Sequence, residues 1–417
     1  MLIPACAIGA GLFSFPIIAG LSGFMPGAFA ILITYGFSTF IGLLIADMCC
    51  HTYTPHHQST HFFALTEKFL PRTLQVITLM SFLFICYGSL IGYLDGMIIS
   101  MQAIQKINLP NKIYGLCLIL FLTGVIYQDN RIITYITNML FPITFIIYLY
   151  FSYLAYSALN TTYLSHVDYT KIAIAFPTLV TAFSFQLMIP SMSRILQGNK
   201  NHLRWAIIIG TTINCLMYFA WFFIMLGINP ISNLREAFLA STTLTASIPS
   251  SHTWGFQLLG NIFAFITMFT SFTSISISIK DYWYEILSTK TKHNSLYMIF
   301  KAHIEHSNME EYHKIQKYLV QLLIFLPIAI IFLTFNKLFL WIFSSTGGYG
   351  DAIAFGLMPI YMSYIAIKHH KMSRDYPIVF YILAIAFFVF VFYIQVSADL
   401  QSIITLLNKA VQSAKIS

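Results

Sequence analysis

The chain is dominated by long apolar stretches separated by short polar loops. Each stretch holds about 20 residues, enough for an α-helix to cross a hydrocarbon core of roughly 30 Å. A span inside lipid must satisfy its own backbone hydrogen bonds, so these stretches predict an all-α polytopic membrane protein. With 58% hydrophobic and 9% charged residues, the composition excludes a soluble enzyme or a nucleic-acid-binding domain. Eleven transmembrane helices are expected, at residues 2–22, 24–47, 74–101, 113–127, 132–158, 172–195, 204–228, 254–279, 318–334, 338–367 and 376–396.

The basic residues predict how the chain is oriented. If the amino terminus is cytoplasmic, fifteen of the 22 lysines and arginines fall in inside loops. Positive charge is enriched on the cytoplasmic side of membrane proteins. We therefore expect a cytoplasmic N-terminus and, after eleven crossings, a C-terminus outside. The first apolar stretch has no basic lead or small-residue cleavage site, so it is expected to stay as a span.

Two of the predicted spans carry helix breakers. Span 1 contains Ile8-Gly9-Ala10-Gly11 followed by Pro16, and span 6 runs from Pro177 to Pro190. Irregular backbone at membrane depth is tolerated where it lines a cavity or binds a ligand. A break in the first helix of each group of five predicts two inverted repeats, with broken helices meeting at the midplane. The predicted units are 1–158 for spans 1–5, 172–367 for spans 6–10, and 376–396 for an added eleventh span.

The two breaks supply the candidate substrate site. Small residues in span 1 let backbone amides at a half-helix start bind a carboxylate, although close helix packing is an alternative use. In span 6, polar side chains are candidates to orient a polar group, and phenylalanines to wall a pocket for a flat apolar side chain, or simply to pack. A tyrosine in span 3 either hydrogen-bonds the substrate or packs. The candidates are Ala7, Ile8, Gly9, Ala10, Gly11, Tyr87, Phe183, Ser184, Phe185 and Gln186.

Apart from Asp47, the last residue of predicted span 2, two acidic residues fall within predicted spans. Asp351 lies deep in span 10, where a carboxylate costs on the order of 2.5–3.5 kcal/mol and should face a cavity, a partner or a proton path. It is the candidate for the coupling proton. Asp95 lies near the outer end of span 3 and is expected at the membrane interface.

A cluster of histidines follows span 2, at His51, His56, His57 and His61. The spacing matches no closed zinc set and has no cysteine partner in register, so an interfacial loop is favoured over a metal site. No metal or other cofactor is expected. An intramembrane enzyme using this loop and Asp351 is a separate hypothesis, disfavoured because the chain lacks the paired ligands that such chemistry needs.

Several motifs resemble the aromatic (tyrosine/tryptophan) amino acid permeases of bacteria. Besides the two breaks, they are His202-Leu203-Arg204-Trp205-Ala206-Ile207, Thr270-Ser271-Phe272 through Asp281-Tyr282, and Gly347-Gly348 through Gly356-Leu357-Met358-Pro359. The resemblance covers nearly the whole chain. It implies a leucine-transporter-type fold and proton-driven import of tyrosine or tryptophan across a bacterial inner membrane. The implied partners are an aromatic amino acid and the lipid bilayer, without nucleic acid, and the oligomeric state is left open.

The chain departs from that family pattern in three places. It has Ala5-Cys6 where the family usually has Gly-Thr, lacks the short lead before span 1, and has Ser184-Phe185-Gln186 in place of Gly-Phe-His. Because an amide does not exchange protons near neutral pH, Gln186 cannot replace a coupling histidine. Hydroxyls of span 8 help bind sodium in related transporters, so Ser271 and Ser274 imply sodium coupling as the alternative. The same hydroxyls are equally suited to bonding their own helix carbonyls.

Overall fold

The computed structural model describes residues 9, 11–53, 62–105, 110–246, 248, 254–288, 309–335, 337–370 and 372–416. This part of the chain is helical apart from turns and one antiparallel β-bridge. A π-helical segment, Thr346–Leu357, joins two of the helices. The α-helices are α1 (Gly11–Gly20), α2 (Phe24–Thr52), α3 (Phe62–Phe69), α4 (Arg72–Gln105), α5 (Asn111–Ile126), α6 (Asn130–Tyr156), α7 (Ala175–Ala182), α8 (Ile189–Ile195), α9 (Lys200–Ile228), α10 (Ile231–Ala240), α11 (Trp254–Ser288), α12 (Met309–Thr334), α13 (Phe339–Ser345), α14 (Met358–His369) and α15 (Ile378–Ile416).

Within the described residues, nine helices or helix runs are long and apolar enough to cross a membrane. The chain is therefore an all-helical, multi-pass membrane protein. Predicted spans 1 and 4 correspond to the shorter apolar helices α1 and α5, so the number eleven stays a prediction. The helices also extend past the apolar runs. Helix α15 continues to Ile416 rather than ending at 396. A helix that leaves the lipid keeps its backbone hydrogen bonds even where its side chains become polar, so the end of an apolar run does not mark the end of the helix.

Two of the connections between spans contain short helices. The 48–73 loop holds α3, which buries Phe62, Leu65 and Phe69, and the 229–253 loop holds α10. The 280–317 loop is helical at both ends, and its middle lies outside the described residues. No separate soluble domain is present in the described part of the chain.

The helices pack in a regular set of pairs. α4 lies along α11, α2 along α9, α1 against α7, and α5 against α12. The π segment lies between α4, α7 and α15. Every residue of α1 is buried, so this short helix is at the centre of the bundle, whereas α6 and α15 expose many apolar side chains on the outside.

The segment between α6 and α7 covers the turn from α1 to α2. Gly23 pairs with Val167 in the β-bridge, and the Asp168 N–H donates to the Ser22 carbonyl at 2.7 Å. Gly23 has φ 93°, and a Cβ there would overlap the carbonyl oxygen of His166. Only glycine fits this turn without strain.

An ionic cluster ties the ends of three elements together. Arg204, in the first turns of α9, donates two hydrogen bonds to Asp47 of α2, at 2.8 and 2.6 Å. It also pairs with Asp375, in the segment before α15, which accepts a 2.5 Å bond from Lys200. The Arg204 guanidinium lies 5.4 Å from the centre of the Tyr376 ring. α2, α9 and the segment before α15 are therefore linked at one end of the bundle.

Candidate functional site

The first break lies at the start of α1. The helix begins at Gly11, and the Leu12 N–H donates to the Gly9 carbonyl at 3.0 Å. It continues through Pro16, so this proline does not end the helix. Ala7, Ile8 and Ala10 lie outside the described residues. Among the residues described, the positive end of the α1 dipole is located at Gly9 and Gly11.

Two neighbouring helices enclose Gly9. A Cβ built on this glycine would lie 3.1 Å from the Tyr93 hydroxyl of α4 and 3.1 Å from Ser271 Oγ of α11. The predicted residues Gly9 and Ser271 are thus brought together. Tyr93 was not predicted, because the sequence does not reveal which side of α4 faces the break.

The second break lies between α7 and α8. Phe183, Ser184 and Phe185 are non-helical, and Gln186–Met188 form one 3₁₀ turn before α8 begins. Pro177 and Pro190 lie in the first turns of α7 and α8, where a missing N–H is harmless, so they start the helices and flank the break.

The two breaks touch each other. A Cβ on Gly11 would lie only 2.7 Å from the Cα of Ala182, so the start of α1 meets the end of α7. The Ala182 carbonyl accepts a 2.7 Å hydrogen bond from Tyr218 of α9. The amide end of α1 and the carbonyl end of α7 therefore lie side by side.

Both phenylalanines of the second break are buried and packed. The Phe183 ring lies edge-on to Tyr218 with centroids 5.1 Å apart, and the Phe185 ring lies over Gly42 of α2. Each side chain is at most 1% exposed. The structure gives both rings packing contacts, and a substrate contact stays a prediction.

The intramembrane carboxylate of Asp351 reaches the second break. It lies in the π segment, is 1% exposed, and accepts a 2.8 Å hydrogen bond from Ser184 Oγ on Oδ1. Its Oδ2 is buried without a hydrogen-bond partner. Gly347 lets the π segment approach α7 so closely that a Cβ there would overlap the Pro177 carbonyl. Two predicted residues, 167 positions apart, are thus in direct contact.

More buried polar atoms without a partner occur around the second break. They are Thr178 Oγ1, Gln186 Oε1 and both amide atoms of Asn214. Asn214 is on the buried face of α9, one turn from Tyr218. Buried polar groups are normally satisfied, so these atoms mark a region suited to a polar ligand. The sequence analysis did not name Asn214 as a candidate. Its only signal in the sequence is that it is a single amide within an apolar span.

Tyr87 is not brought to the breaks. Its hydroxyl donates to the Leu323 carbonyl at 2.7 Å and accepts from Trp283 Nε1 at 3.2 Å. Tyr93, six residues on, is about 9 Å further along α4 and occupies the position beside Gly9. The Tyr87 hydroxyl therefore bonds to residues of α11 and α12, and its predicted contact with a substrate stays a prediction.

Asp95 is buried within the protein, and its depth relative to the membrane interface stays a prediction. Its side chain is 8% exposed, and Oδ2 accepts a 3.0 Å hydrogen bond from the Phe339 N–H. This carboxylate caps the start of α13.

The hydroxyls of α11 mostly bond within their own helix. Ser274 Oγ donates to the Thr270 carbonyl at 2.8 Å, and Ser278 Oγ donates to that of Ser274 at 3.4 Å. Ser271 is the one of the two sodium candidates that lies beside the first break. The role of either residue in ion coupling stays a prediction.

Of the histidine cluster, only His51 is among the described residues, and its Nε2 is 2.9 Å from the His370 carbonyl. In the described part of the chain, no group of three or more His, Cys, Asp or Glu side chains is arranged to hold a metal ion. His56, His57 and His61 lie outside it.

Comparisons with known proteins agree on a class. A model of the tryptophan/tyrosine permease family matches residues 1–398. The chain is 21% identical over 294 residues to tyrosine-specific transport system 1 of Haemophilus influenzae, covering 67% of this chain and 70% of that protein. It is 24% identical to the low affinity tryptophan permease of Proteus vulgaris, covering 66% and 69%. It is also 21% identical to glutamine transporter 2 of Aliivibrio fischeri, covering 67% and 72%.

A solved structure provides a fold-level match. The manganese transporter of Eremococcus coleocola, in complex with an aromatic bis-isothiourea substituted compound, aligns with a TM-score of 0.55 at 12% identity. The alignment covers 94% of this chain and 84% of that one. At this identity the likeness concerns the fold alone.

The family and the named relatives are transporters, so the intramembrane-enzyme hypothesis is dropped. The family model spans nearly the entire chain, and the breaks, the buried carboxylate and the all-helical bundle are consistent with it. The chain belongs to the tryptophan/tyrosine permease family of amino acid transporters.

Proposed function

We propose that this permease imports aromatic amino acids, tyrosine or tryptophan, by alternating access coupled to the proton gradient. The observation that carries the proposal is the contact between Asp351, a buried carboxylate, and Ser184, in the second helix break. It links a group able to change charge with the backbone where a substrate would bind. The tyrosine and tryptophan transporters among the relatives support the substrate class.

The ends of α1 and α7 suit an α-amino acid. The substrate carboxylate binds the free amides at the start of α1, near Gly9 and Gly11, where the helix dipole is positive. The ammonium group binds carbonyls at the end of α7, near Ala182 and Phe183. One zwitterion therefore satisfies both helix ends, while the aromatic ring lies toward Phe183 and Phe185.

The fold proposed for this mechanism is the leucine-transporter-type arrangement of two inverted repeats, residues 1–158 and 172–367, plus an eleventh span. The helix pairing supports it. α1 packs on α7, α2 on α9, α4 on α11 and α5 on α12, so spans 1, 2, 3 and 4 each contact the span five positions later. A two-fold axis in the membrane plane produces such self-pairing.

Asp351 is the proposed proton carrier. Gln186 cannot titrate, whereas a carboxyl in contact with Ser184 can pass between a charged and a neutral form as the breaks rearrange. A charge at membrane depth is costly unless it has a partner. Protonation and substrate binding are thus coupled through the same non-helical segment.

Sodium coupling is the second candidate, favoured by one observation. Ser271 Oγ lies beside Gly9, where a hydroxyl and backbone carbonyls at the first break would provide the oxygen ligands that a hard cation requires. Replacing sodium with choline during uptake separates the two mechanisms. Loss of accumulation in choline would identify sodium as the driving ion.

Purified protein in proteoliposomes tests the main proposal. A proton gradient directed into the proteoliposomes should concentrate radiolabelled tyrosine or tryptophan inside them. If neither is accumulated, the proposed substrate class is wrong. We also propose an inner-membrane location with a cytoplasmic N-terminus, which labelling of single introduced cysteines in intact cells would test.

Asp351→Asn removes the titrating group while keeping the shape and an acceptor for Ser184. We expect gradient-driven accumulation to fall to the level without a gradient, about tenfold or more, while exchange of internal and external substrate persists. Glu236→Gln, an exposed acid in α10, is the matched control. Accumulation by the Asn variant would rule out Asp351 as the proton carrier.

A further inference from the structure

The last helix is joined to the π segment that carries Asp351 by a partly buried polar network. Gln395 of α15 is 2% exposed, and its Oε1 accepts a 2.7 Å hydrogen bond from Ser344. Its Nε2 donates to Ser345 Oγ at 3.2 Å and to Asp399 at 3.2 Å. One amide therefore connects α15 with the end of α13.

Asp399 extends this network to the π segment. Its carboxylate accepts hydrogen bonds from Trp341 Nε1 at 2.9 Å and from the Tyr349 hydroxyl at 2.6 Å. Tyr349 belongs to the π segment, two residues before Asp351. Between Ile378 and Ile404, α15 presents mainly apolar side chains to the outside, such as Ile382, Val389 and Tyr393.

Two adjacent glycines place the π segment between α7 and this network. Gly347 lies against the Pro177 carbonyl and Thr181 of α7, and Gly348 lies against the Cβ and Cγ of Gln395. A side chain at either glycine would overlap its neighbour. The backbone that leads into Asp351 is thus held from both sides.

A π-helix needs such support. Its wider turn is rare, occurs mainly as single turns and is frequent at functional sites. This segment runs for twelve residues, so contacts from outside the helix must keep it in register. If the π segment narrowed to an α-helix, each turn would contain fewer residues. Asp351 would then rotate away from Ser184.

We propose that Gln395 and Asp399 are positioning residues that hold the π segment in the register presenting Asp351 to Ser184. The eleventh span, which lies outside both proposed repeats, then takes part in coupling. This inference rests on the proposed function, because it gives Asp351 its role. Simple adhesion between helices is the alternative, and polar contacts between membrane helices often serve that purpose.

Gln395→Leu keeps the side-chain volume and removes every hydrogen bond of the amide. In proteoliposomes we expect exchange to stay within about twofold of wild type, while gradient-driven accumulation falls about tenfold. The pH at half-maximal uptake should shift by about half a unit or more, because the environment of the titrating carboxyl changes. Gln401→Leu, at an exposed position of the same helix, is the matched control.

Asp399→Asn is the second variant, should Gln395→Leu fail to fold. It keeps an acceptor for Trp341 and a nearly identical shape, and we expect the same separation of exchange from accumulation. In the Asp351→Asn background, Gln395→Leu should leave the rate of exchange and its pH profile unchanged, because the positioned group is already absent.

Three outcomes would overturn the inference. Equal loss of exchange and accumulation with an unshifted pH profile would indicate helix adhesion only. A wild-type accumulation ratio and pH profile in both variants would show that the network does not affect Asp351. A pH profile of exchange that Gln395→Leu still shifts in the Asp351→Asn background would place the effect elsewhere. By contrast, accumulation that survives Asp351→Asn contradicts the proposed function itself, which keeps the two failures distinct.

Discussion

At the scale of single residues, small side chains decide how the two breaks meet. A Cβ on Gly11 would overlap Ala182, and a Cβ on Gly9 would lie tightly against the Tyr93 hydroxyl and Ser271 Oγ, 3.1 Å away. The same two glycines expose the amides proposed to bind the substrate carboxylate. Packing and binding therefore impose the same requirement on these positions, so a substitution there affects both.

Gly11→Ala tests this close approach. The new Cβ would lie 2.7 Å from the Cα and Cβ of Ala182, so α1 or α7 must shift. Overpacking of this kind costs about 1–3 kcal/mol, and we expect the initial rate of uptake to fall about tenfold. Gly124→Ala in α5, where a Cβ meets nothing within 4 Å, should transport normally. Equal rates for the two variants would contradict the close contact.

Sequence reasoning located some site residues and missed others for identifiable reasons. Asp351 was found because a carboxylate in an apolar span is rare, and Ser184 because it lies between two prolines. Their mutual contact joins positions 167 apart, which no local pattern reveals. Tyr87 was named and Tyr93 was not considered, because the rotation of a helix within a bundle is set by packing, not by its own sequence.

At the scale of secondary-structure elements, several helices end on groups supplied by another part of the chain. α13 has no capping hydrogen bond from its own N-cap residue, Leu338, and Asp95 of α4 provides it instead. Lys280 of α11 similarly donates to the carbonyls of Ile126 and Gln128 at the end of α5. Such contacts fix the relative positions of whole helices because unsatisfied end groups in a membrane are costly.

Asp95→Ala tests the cap on α13. The variant leaves the Phe339 N–H without its acceptor, and we expect a loss of stability of about 1–2 kcal/mol. Asp95→Asn retains an acceptor oxygen and should recover most of that loss. Thermal unfolding of the purified variants in detergent provides the measurement. If alanine and wild type unfold at the same temperature, the carboxylate does not stabilise this helix start.

The π segment and the helix ends were the elements least accessible from sequence. Gly347-Gly348 marked a family motif, but the wide turn depends on Pro177 and Gln395, which lie on other helices. The breaker pattern located the second break correctly between Pro177 and Pro190. It did not reveal that both prolines begin helices, because a proline fits a first turn as readily as it interrupts an interior one.

At the scale of the whole molecule, the ionic cluster of Asp47, Lys200, Arg204 and Asp375 joins parts of the chain that are far apart in sequence. Hydrogen bonds from Lys200 and Arg204 lower the pKa of Asp375 to about 2. The unfolded chain has a carboxyl pKa of about 3.9. This ion pairing therefore stabilises the fold fully above about pH 5, and its contribution is lost as the pH falls toward 2.

Asp375→Asn tests that linkage. Relative to wild type, the variant should unfold at a lower temperature near pH 7, and the difference should shrink steadily below about pH 4. Because the Asp375 side chain is partly exposed, salt should reduce the difference as well. Thermal unfolding in detergent between pH 2 and pH 7, at low and high salt, gives both dependences. A difference that persists unchanged at pH 2 would contradict the assignment.

The β-bridge at Gly23 restricts how the binding region can move. Val167 and Asp168 are bonded to the turn that joins α1 to α2. A side chain at Gly23 would overlap the backbone of His166 and so break this contact. A tilt of α1 that preserves these contacts must therefore move Val167 and Asp168 as well. The same residues continue through the 3₁₀ turn Tyr169–Ile174 directly into α7. The helices α1 and α7 are thus connected through the segment that contains Val167 and Asp168, in addition to touching at their ends.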